Sequence, residues 1–192
     1  NNDSDTTMSF EQLDYPTYDL YPQLLKLLRD DSVSWAGNQM CINSIDADPT
    51  NFNLGTGSLE WDWDNQYRDA DDVLQTPKRA VVYTEADFTT LSPQFADTAF
   101  ADVYKLLTSN YKLGRVRVMR SVPKTCLSWH MDSTPRIHYV IKSQPGCLMV
   151  IEDTAKYLPT QTWWHTDTTK KHTAFNGSYE DRIHLVATVL ES

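Results

Sequence analysis

The sequence predicts an α+β protein, mainly β, in which a jelly-roll barrel (a double-stranded β-helix) is flanked by N-terminal helices. Three observations lead there. Helical periodicity is confined to the first part of the chain, short alternating runs separated by turn residues fill the remainder, and helices followed by antiparallel strands are the layout of an α+β jelly roll. At 192 residues the chain can bury one sizeable core and is short for two, so a single domain over 1–192 is expected. Residues 1–113 would flank the barrel as helices and a polar loop region, and residues 114–192 would supply its core strands.

In chain order, residues 21–29 place Pro22 in a first turn and Leu24, Leu25, Leu27 and Leu28 after it, which predicts a short amphipathic helix on the outside of a sheet. Residues 33–42 read as a strand. The stretch 43–78, rich in Asp, Asn, Gly and Thr, reads as a long loop with local pieces, of a length that goes with function or mobility. Inside it, residues 59–64 alternate, with Trp61 and Trp63 on one face and Glu60, Asp62 and Asp64 on the other. An edge strand with its aromatic side buried is expected there, the other reading being an aromatic wall over a substrate. Residues 80–83 form a further short strand. Ser92 as N-cap and Pro93 at the first helical position open a second helix through Leu107, with Phe95, Ala99, Val103 and Leu106 on its apolar face. Thereafter strand follows strand. Arg115, Arg117 and Met119 alternate with Val116 and Val118, so if the valines pack under the helices, Arg117 points into the barrel. Pro145 and Gly146 mark a turn, residues 147–151 read as a buried strand, and residues 182–190 alternate as a last one.

Composition narrows the function classes. With 26 acidic against 17 basic residues, a formal net charge of −9 argues against broad attraction to nucleic acid or an anionic membrane, and Lys170 with Lys171 is too small a basic spot to change that. Cys41, Cys126 and Cys147 are odd in number and irregularly spaced, pointing to reduced thiols in a cytoplasmic protein rather than a disulfide framework or zinc knuckle. No apolar run approaches the ~20 residues of a membrane span. Residues 1–7 are a polar lead unlike a signal peptide, and residue 1 is not Met, which leaves location a compositional expectation.

Chemistry concentrates between Trp129 and Val189. An iron that must bind both an oxidisable acid and dioxygen needs three protein ligands on one face, and two imidazoles with one carboxylate provide them. His130 and Asp132, at i and i+2 of a strand, point the same way. The third ligand must come from elsewhere, and His172 lies far enough downstream for several strands of ~5–6 residues to intervene. Arg182 then opens the last strand, where a guanidinium can grip a carboxylate by its planar fork. A competing pair, His165 and Asp167, leaves only His172 or His184 as distal partner, with no room for the intervening strands. Residues 158–162 read as loop, so His165 is expected to be a loop residue and His184 a satisfied histidine of the last strand, sharing the face of Arg182.

Over roughly residues 114–189 these features resemble the iron(II)- and 2-oxoglutarate-dependent oxygenases, in particular their aspartyl/asparaginyl β-hydroxylase-like branch. The resemblance is carried by His172 and Asn176 followed by Arg182, by Arg136-Ile137-His138 just after the proximal pair, and by the turn around Pro123. It implies a cupin-like barrel with iron(II) held by His130, Asp132 and His172, and Arg182 on the far carboxylate of 2-oxoglutarate. Arg136 and His138 would meet its near carboxylate or the substrate. Where the type enzyme places a serine beside the cosubstrate, this chain has Met119; Asp132 supplies a carboxylate ligand that the vertebrate type enzyme lacks. The implied reaction consumes dioxygen, converts 2-oxoglutarate to succinate and carbon dioxide, and hydroxylates an unactivated carbon of an amino acid, or of an aspartyl, asparaginyl or similar residue in a peptide. A chain without peptide-recognition repeats leans towards a small substrate, and inward Arg136 and Arg117 suit one bearing a carboxylate. The alternatives are a zinc hydrolase on the same three ligands and a catalytically silent jelly-roll module that binds a small acid.

Overall fold

The computed structural model describes residues 8–191, so the polar lead of residues 1–7 lies outside the described residues. The elements run β1 (Phe10–Leu13), α1 (Leu20–Arg29), β2 (Gln39–Cys41), β3 (Asn43–Ser44), β4 (Tyr67–Arg68), β5 (Leu74–Gln75), β6 (Thr90–Leu91) and α2 (Ala99–Asn110). They continue with β7 (Lys112–Ser121), β8 (Thr125–Cys126), β9 (Arg136–Lys142), β10 (Cys147–Ile151), β11 (Thr154–Lys156), β12 (Trp163–Thr166), β13 (His172–Asn176) and β14 (Arg182–Glu191).

Two sheets face each other. The larger has the order β1-β12-β9-β14-β7-β2 and the smaller the order β11-β10-β13-β8, with antiparallel pairing throughout. From β7 onward the chain passes back and forth between them, β7, β9, β12 and β14 lying in the larger sheet and β8, β10, β11 and β13 in the smaller. That winding is a jelly roll, here built as a two-sheet sandwich.

Strand alternation sorts the side chains into two environments. On the outer face of the larger sheet, Val116, Val118, Ile137, Tyr139, Leu185 and Ala187 pack beneath Leu20 and Leu24 of α1 and Phe100, Val103 and Leu107 of α2. Each fully buried leucine or phenylalanine contributes about 1.5–3 kcal/mol, which anchors the helices. Between the sheets the apolar part is a smaller cluster of Phe10, Val140, Met149, Ile151, Leu158, Trp164 and Ala174. The same inward-facing positions also carry Arg115, Arg117, Arg136, His138, His172, Arg182 and His184, all buried. An interior this cationic is unusual, because buried charge is costly unless it is paired.

The sequence reading holds for α1, the long loop, the Gly146 turn (φ 96°), β10 and β14, and fails at five places outside the segment of His130 and Asp132. The strand expected over 33–42 shrinks to β2, because Gly37 (φ 60°) makes a tight turn closed by mutual hydrogen bonds between Ala36 and Gln39. Residues 59–64 are no edge strand: Trp61 makes a single bridge to Lys78, and the chain then tightens into a 3-10 turn at Trp63–Asn65. The two tryptophans stay 38% and 59% exposed. Residues 80–83 form no strand, and Val81 and Val82 are exposed. The second helix starts later than Ser92; Pro93–Phe95 is one 3-10 turn, and extended Thr98 caps α2 by accepting from the Phe100 amide at 3.2 Å. Its buried face is therefore Phe100, Val103 and Leu107. His165, finally, lies in β12 and not in a loop, paired with Ile137 and Glu11.

Candidate metal and anion site

His172 begins β13, whose inward face it shares with Ala174 and Asn176. The proximal pair sits on no regular strand: His130 makes one antiparallel bridge to His172, and the Asp132 amide donates to the Thr168 carbonyl at 2.9 Å. The segment still brings the i and i+2 side chains of His130 and Asp132 together. His130 Nε2 is 3.9 Å from one Asp132 oxygen and His172 Nε2 is 3.7 Å from the other. Among the described residues, these three form the group able to hold a metal ion, all ligand atoms lying within 4.8 Å of one another.

The ring tautomers suit that role. His130 Nδ1 lies 2.7 Å from the Ser128 carbonyl and His172 Nδ1 2.9 Å from the Lys170 carbonyl. A carbonyl only accepts, so each Nδ1 carries the proton and each Nε2 presents its lone pair towards Asp132. Burial pushes the His172 pKa below its ordinary value, so the ring is neutral at neutral pH. Neither backbone carbonyl was legible in the sequence, since each acts through chain geometry and not through residue type.

Arg136 turns towards the cluster: its Nε lies 3.5 Å from Asp132 Oδ2, and its Nη1 donates to the Thr134 hydroxyl and carbonyl. Arg182 is buried, with its pKa lowered to about 10 by that burial, and so remains charged at neutral pH. Among the described residues it forms no ion pair, and its side-chain bond goes to His184 Nδ1 at 3.0 Å. His138 Nδ1 meets the same His184 nitrogen at 3.1 Å. Arg117 faces inward as expected, donating to Gln39 Oε1 at 3.1 Å while its buried Nε has no partner among the described residues. Burial first, then the Arg115 charge, lowers its pKa to about 10.

One neighbour of the site escaped sequence reasoning. Arg115 donates from Nε and Nη2 to Glu85 Oε1 and from Nη1 to the carbonyls of Gly55 and Gly57. Its own backbone amide reaches Glu85 Oε2 at 2.8 Å. This clamp ties the long loop to β7, and Gly114 permits it, because a Cβ there would sit 2.6 Å from that carboxylate. The Gly57 amide donates in turn to Gln39 Oε1, which also holds Arg117.

The competing pair is not assembled. His165 lies on the strand face opposite inward-facing Trp164, and Asp167 is occupied by the Thr169 hydroxyl and by Lys170 at 3.7 Å. Asp167→Ala is therefore expected to leave metal affinity within about twofold, an ordinary surface effect; loss of iron binding in an anaerobic titration would show that the wrong pair had been chosen.

Among the described residues, no helix is long and apolar enough to cross a membrane. No curated protein matches the chain. Solved structures resemble it weakly. AerE from Microcystis aeruginosa aligns at 14% identity over 40% of this chain and 36% of its own, with a TM-score of 0.36. A 2OG-Fe(II) oxygenase family oxidoreductase from Burkholderia pseudomallei aligns at 13% identity over 64% of each chain, with a TM-score of 0.40. The collagen prolyl hydroxylase of Paramecium Bursaria Chlorella virus-1 aligns at 10% identity over 95% of this chain and 97% of its own, with a TM-score of 0.45. The chain thus spans about a third of AerE and just under two thirds of the Burkholderia protein. The sequence match to the family model described as "Aspartyl/Asparaginyl beta-hydroxylase" is of a different order, covering residues 72–191 and so reaching further upstream than the motifs alone. With well over half of its length matched, this chain belongs to the aspartyl/asparaginyl β-hydroxylase family.

Proposed function

We propose that the protein is an iron(II)- and 2-oxoglutarate-dependent dioxygenase that hydroxylates an unactivated carbon of an amino acid, or of an aspartyl, asparaginyl or similar residue in a peptide. The observation that carries this is the pairing of a His130–Asp132–His172 donor set with Arg182, a buried cation that has no acidic partner among the described residues. Two imidazoles and a carboxylate suit iron(II), and equally zinc. A zinc hydrolase, however, has no use for a buried, unpaired guanidinium, whereas an acid cosubstrate supplies the anion that Arg182 lacks.

In this reading His130, Asp132 and His172 hold the metal, and the Ser128 and Lys170 carbonyls keep both imidazoles turned towards it. Arg136 orients Asp132. Arg182 pairs with the far carboxylate of 2-oxoglutarate, and Arg117 lies on the same inner face for an acidic group of the substrate. The sandwich interior excludes water around these charges, which strengthens every such contact. When bound, iron(II) and 2-oxoglutarate supply the dioxygen chemistry, with succinate and carbon dioxide as coproducts. The protein's part is to bind, orient and keep dry.

Arg182→Ala tests the reading. Loss of a buried charge-assisted pair is expected to weaken 2-oxoglutarate binding by at least about a hundredfold and to abolish 2-oxoglutarate-dependent succinate formation while leaving iron binding in place. Unchanged cosubstrate affinity in a folded variant would return the site to hydrolysis or to silent binding.

A further inference from the structure

Residues 60–64 alternate acid and tryptophan as Glu60-Trp61-Asp62-Trp63-Asp64, and they belong neither to the core nor to the metal and anion site. The segment is nonetheless ordered. It lies in an arm over residues 57–79 that is folded back on itself: the Arg79 amide donates to the Glu60 carbonyl at 2.8 Å and the Asp62 amide to the Pro77 carbonyl at 2.9 Å. Gln66 bonds the Thr76 hydroxyl at 2.7 Å, and the β4–β5 hairpin closes the far end. At the base, Arg79 Nη2 donates to the Thr56 carbonyl at 3.2 Å and Arg115 holds the Gly57 carbonyl. A large ring left in water on such an element forgoes the burial by which tryptophan ordinarily stabilises a fold.

Trp61 already has a cation. The Lys78 ammonium lies 5.4 Å from its ring centroid and 2.8 Å from Glu60 Oε1, so ring and carboxylate together seat one lysine. Two residues on, the same groups are set out without the lysine. Trp63, the more exposed of the two rings, stands between Asp62 and Asp64, which have no cationic partner among the described residues. Asp62 Oδ2 accepts from Asn65 at 2.7 Å, and the remaining carboxylate oxygens of the pair stay open. The arm has no cation to spare for them. Its six acids face three basic residues, of which Lys78 is bound to Glu60, Arg68 to Asp72 and Arg79 to the Thr56 carbonyl.

We propose that Asp62, Trp63 and Asp64 form a docking point for a lysine or arginine side chain of a basic polypeptide segment. The neighbouring seat shows the chemistry with a lysine of this chain. An aromatic face favours an organic cation carried on an apolar stem, which lies along the ring while the carboxylates take its charge. Acids continue along the arm at Asp69, Asp71 and Asp72, so the surface is complementary to a segment bearing several cations rather than to one small ion. The docking needs no metal and does not rest on the oxygenase reading.

The test is a titration of the nitrogen-15-labelled full chain, without added metal, with a short peptide of alternating lysine and serine, followed through the tryptophan indole N–H signals. The Trp63 signal is expected to move saturably. Those of buried Trp163 and Trp164, and of Trp129, which is exposed but flanked by Ser128 and His130, should stay in place and report an intact fold. Trp63→Ala, read through backbone amides of the arm, is expected to weaken binding by about two- to fivefold. Asp62→Asn with Asp64→Asn should weaken it by about two- to tenfold. Glu152→Gln with Asp153→Asn removes the same charge from the exposed β10–β11 turn and should leave binding within about twofold. No saturable movement at Trp63, or equal losses in the two double variants, would overturn the proposal, the latter marking general attraction to an acidic chain. The same movement with a peptide of alternating glutamate and serine would also overturn it, and free lysine binding as tightly as the peptide would refute a polypeptide occupant.

Discussion

If the proposed oxygenase reading holds, replacing His172 by alanine is expected to remove iron(II) binding and 2-oxoglutarate turnover from a chain that still folds. The backbone of His172 exchanges hydrogen bonds with that of His130, amide to carbonyl at 2.8 Å and 3.1 Å, and alanine keeps both. The substitution deletes the Nε2 that faces Asp132 at 3.7 Å. Only His130 and Asp132 of the candidate donor set then remain, on a segment that β8, Leu127 and the His130 bridge hold to β13. Loss even of a residue that only orients a ligand costs 10–100-fold in metal affinity, so loss of a ligand is expected to exceed about a hundredfold. Anaerobic iron titration with a melting curve checks this, and wild-type affinity in a folded variant would refute the ligand set.

The second large effect is on stability. Glu85→Ala strips Arg115 of its carboxylate partner and leaves a buried guanidinium bonded only to the carbonyls of Gly55 and Gly57. Breaking a buried pair by removing one member costs about 3–5 kcal/mol, which in a chain of this size lowers Tm by roughly 10 °C. The effect has a pH signature. Burial by itself would raise the Glu85 pKa, but the hydrogen bonds and charge of Arg115 outweigh it and hold the carboxyl below its ordinary value. A carboxyl depressed in the folded state adds stability above its unfolded pKa of about 4.3, and that stability is lost as pH falls through the folded value. The gap between wild type and Glu85→Ala should therefore be widest near neutrality and narrow below about pH 4. Equal gaps at both ends of such a series of melting curves would show that the clamp is not ionic.

Alternating Val116 and Val118 against Arg115 and Arg117 made the two faces of β7 readable from a single segment, and the same held for β14. Periodicity is a local property, and a half-buried strand must obey it. Where the prediction failed, local pattern met missing context. Residues 59–64 alternate like a strand, yet among the described residues their one backbone bridge to another segment is Trp61 to Lys78, flanked by hydrogen bonds to Pro77 and Arg79. Ser92 and Pro93 are a sound helix start, but the chain makes one 3-10 turn and restarts at Thr98, where Gln23 of α1 accepts from the Ala99 amide at 2.7 Å.

The sequence by itself determined the strand faces, the turns and the candidate residues for the chemistry: His130, Asp132, His172 and Arg182 were all named from spacing and from a family resemblance. Only the tertiary structure decided what those residues do to one another. It brought His130 and His172 together by a bridge between distant segments, oriented both rings with carbonyls, set Arg136 on Asp132, and used Glu85 to neutralise Arg115 while leaving Arg182 unpaired. The reason is physical: periodicity is written in neighbouring residues, whereas the protonation and charge balance of a buried site depend on atoms a few ångströms away that belong to other strands.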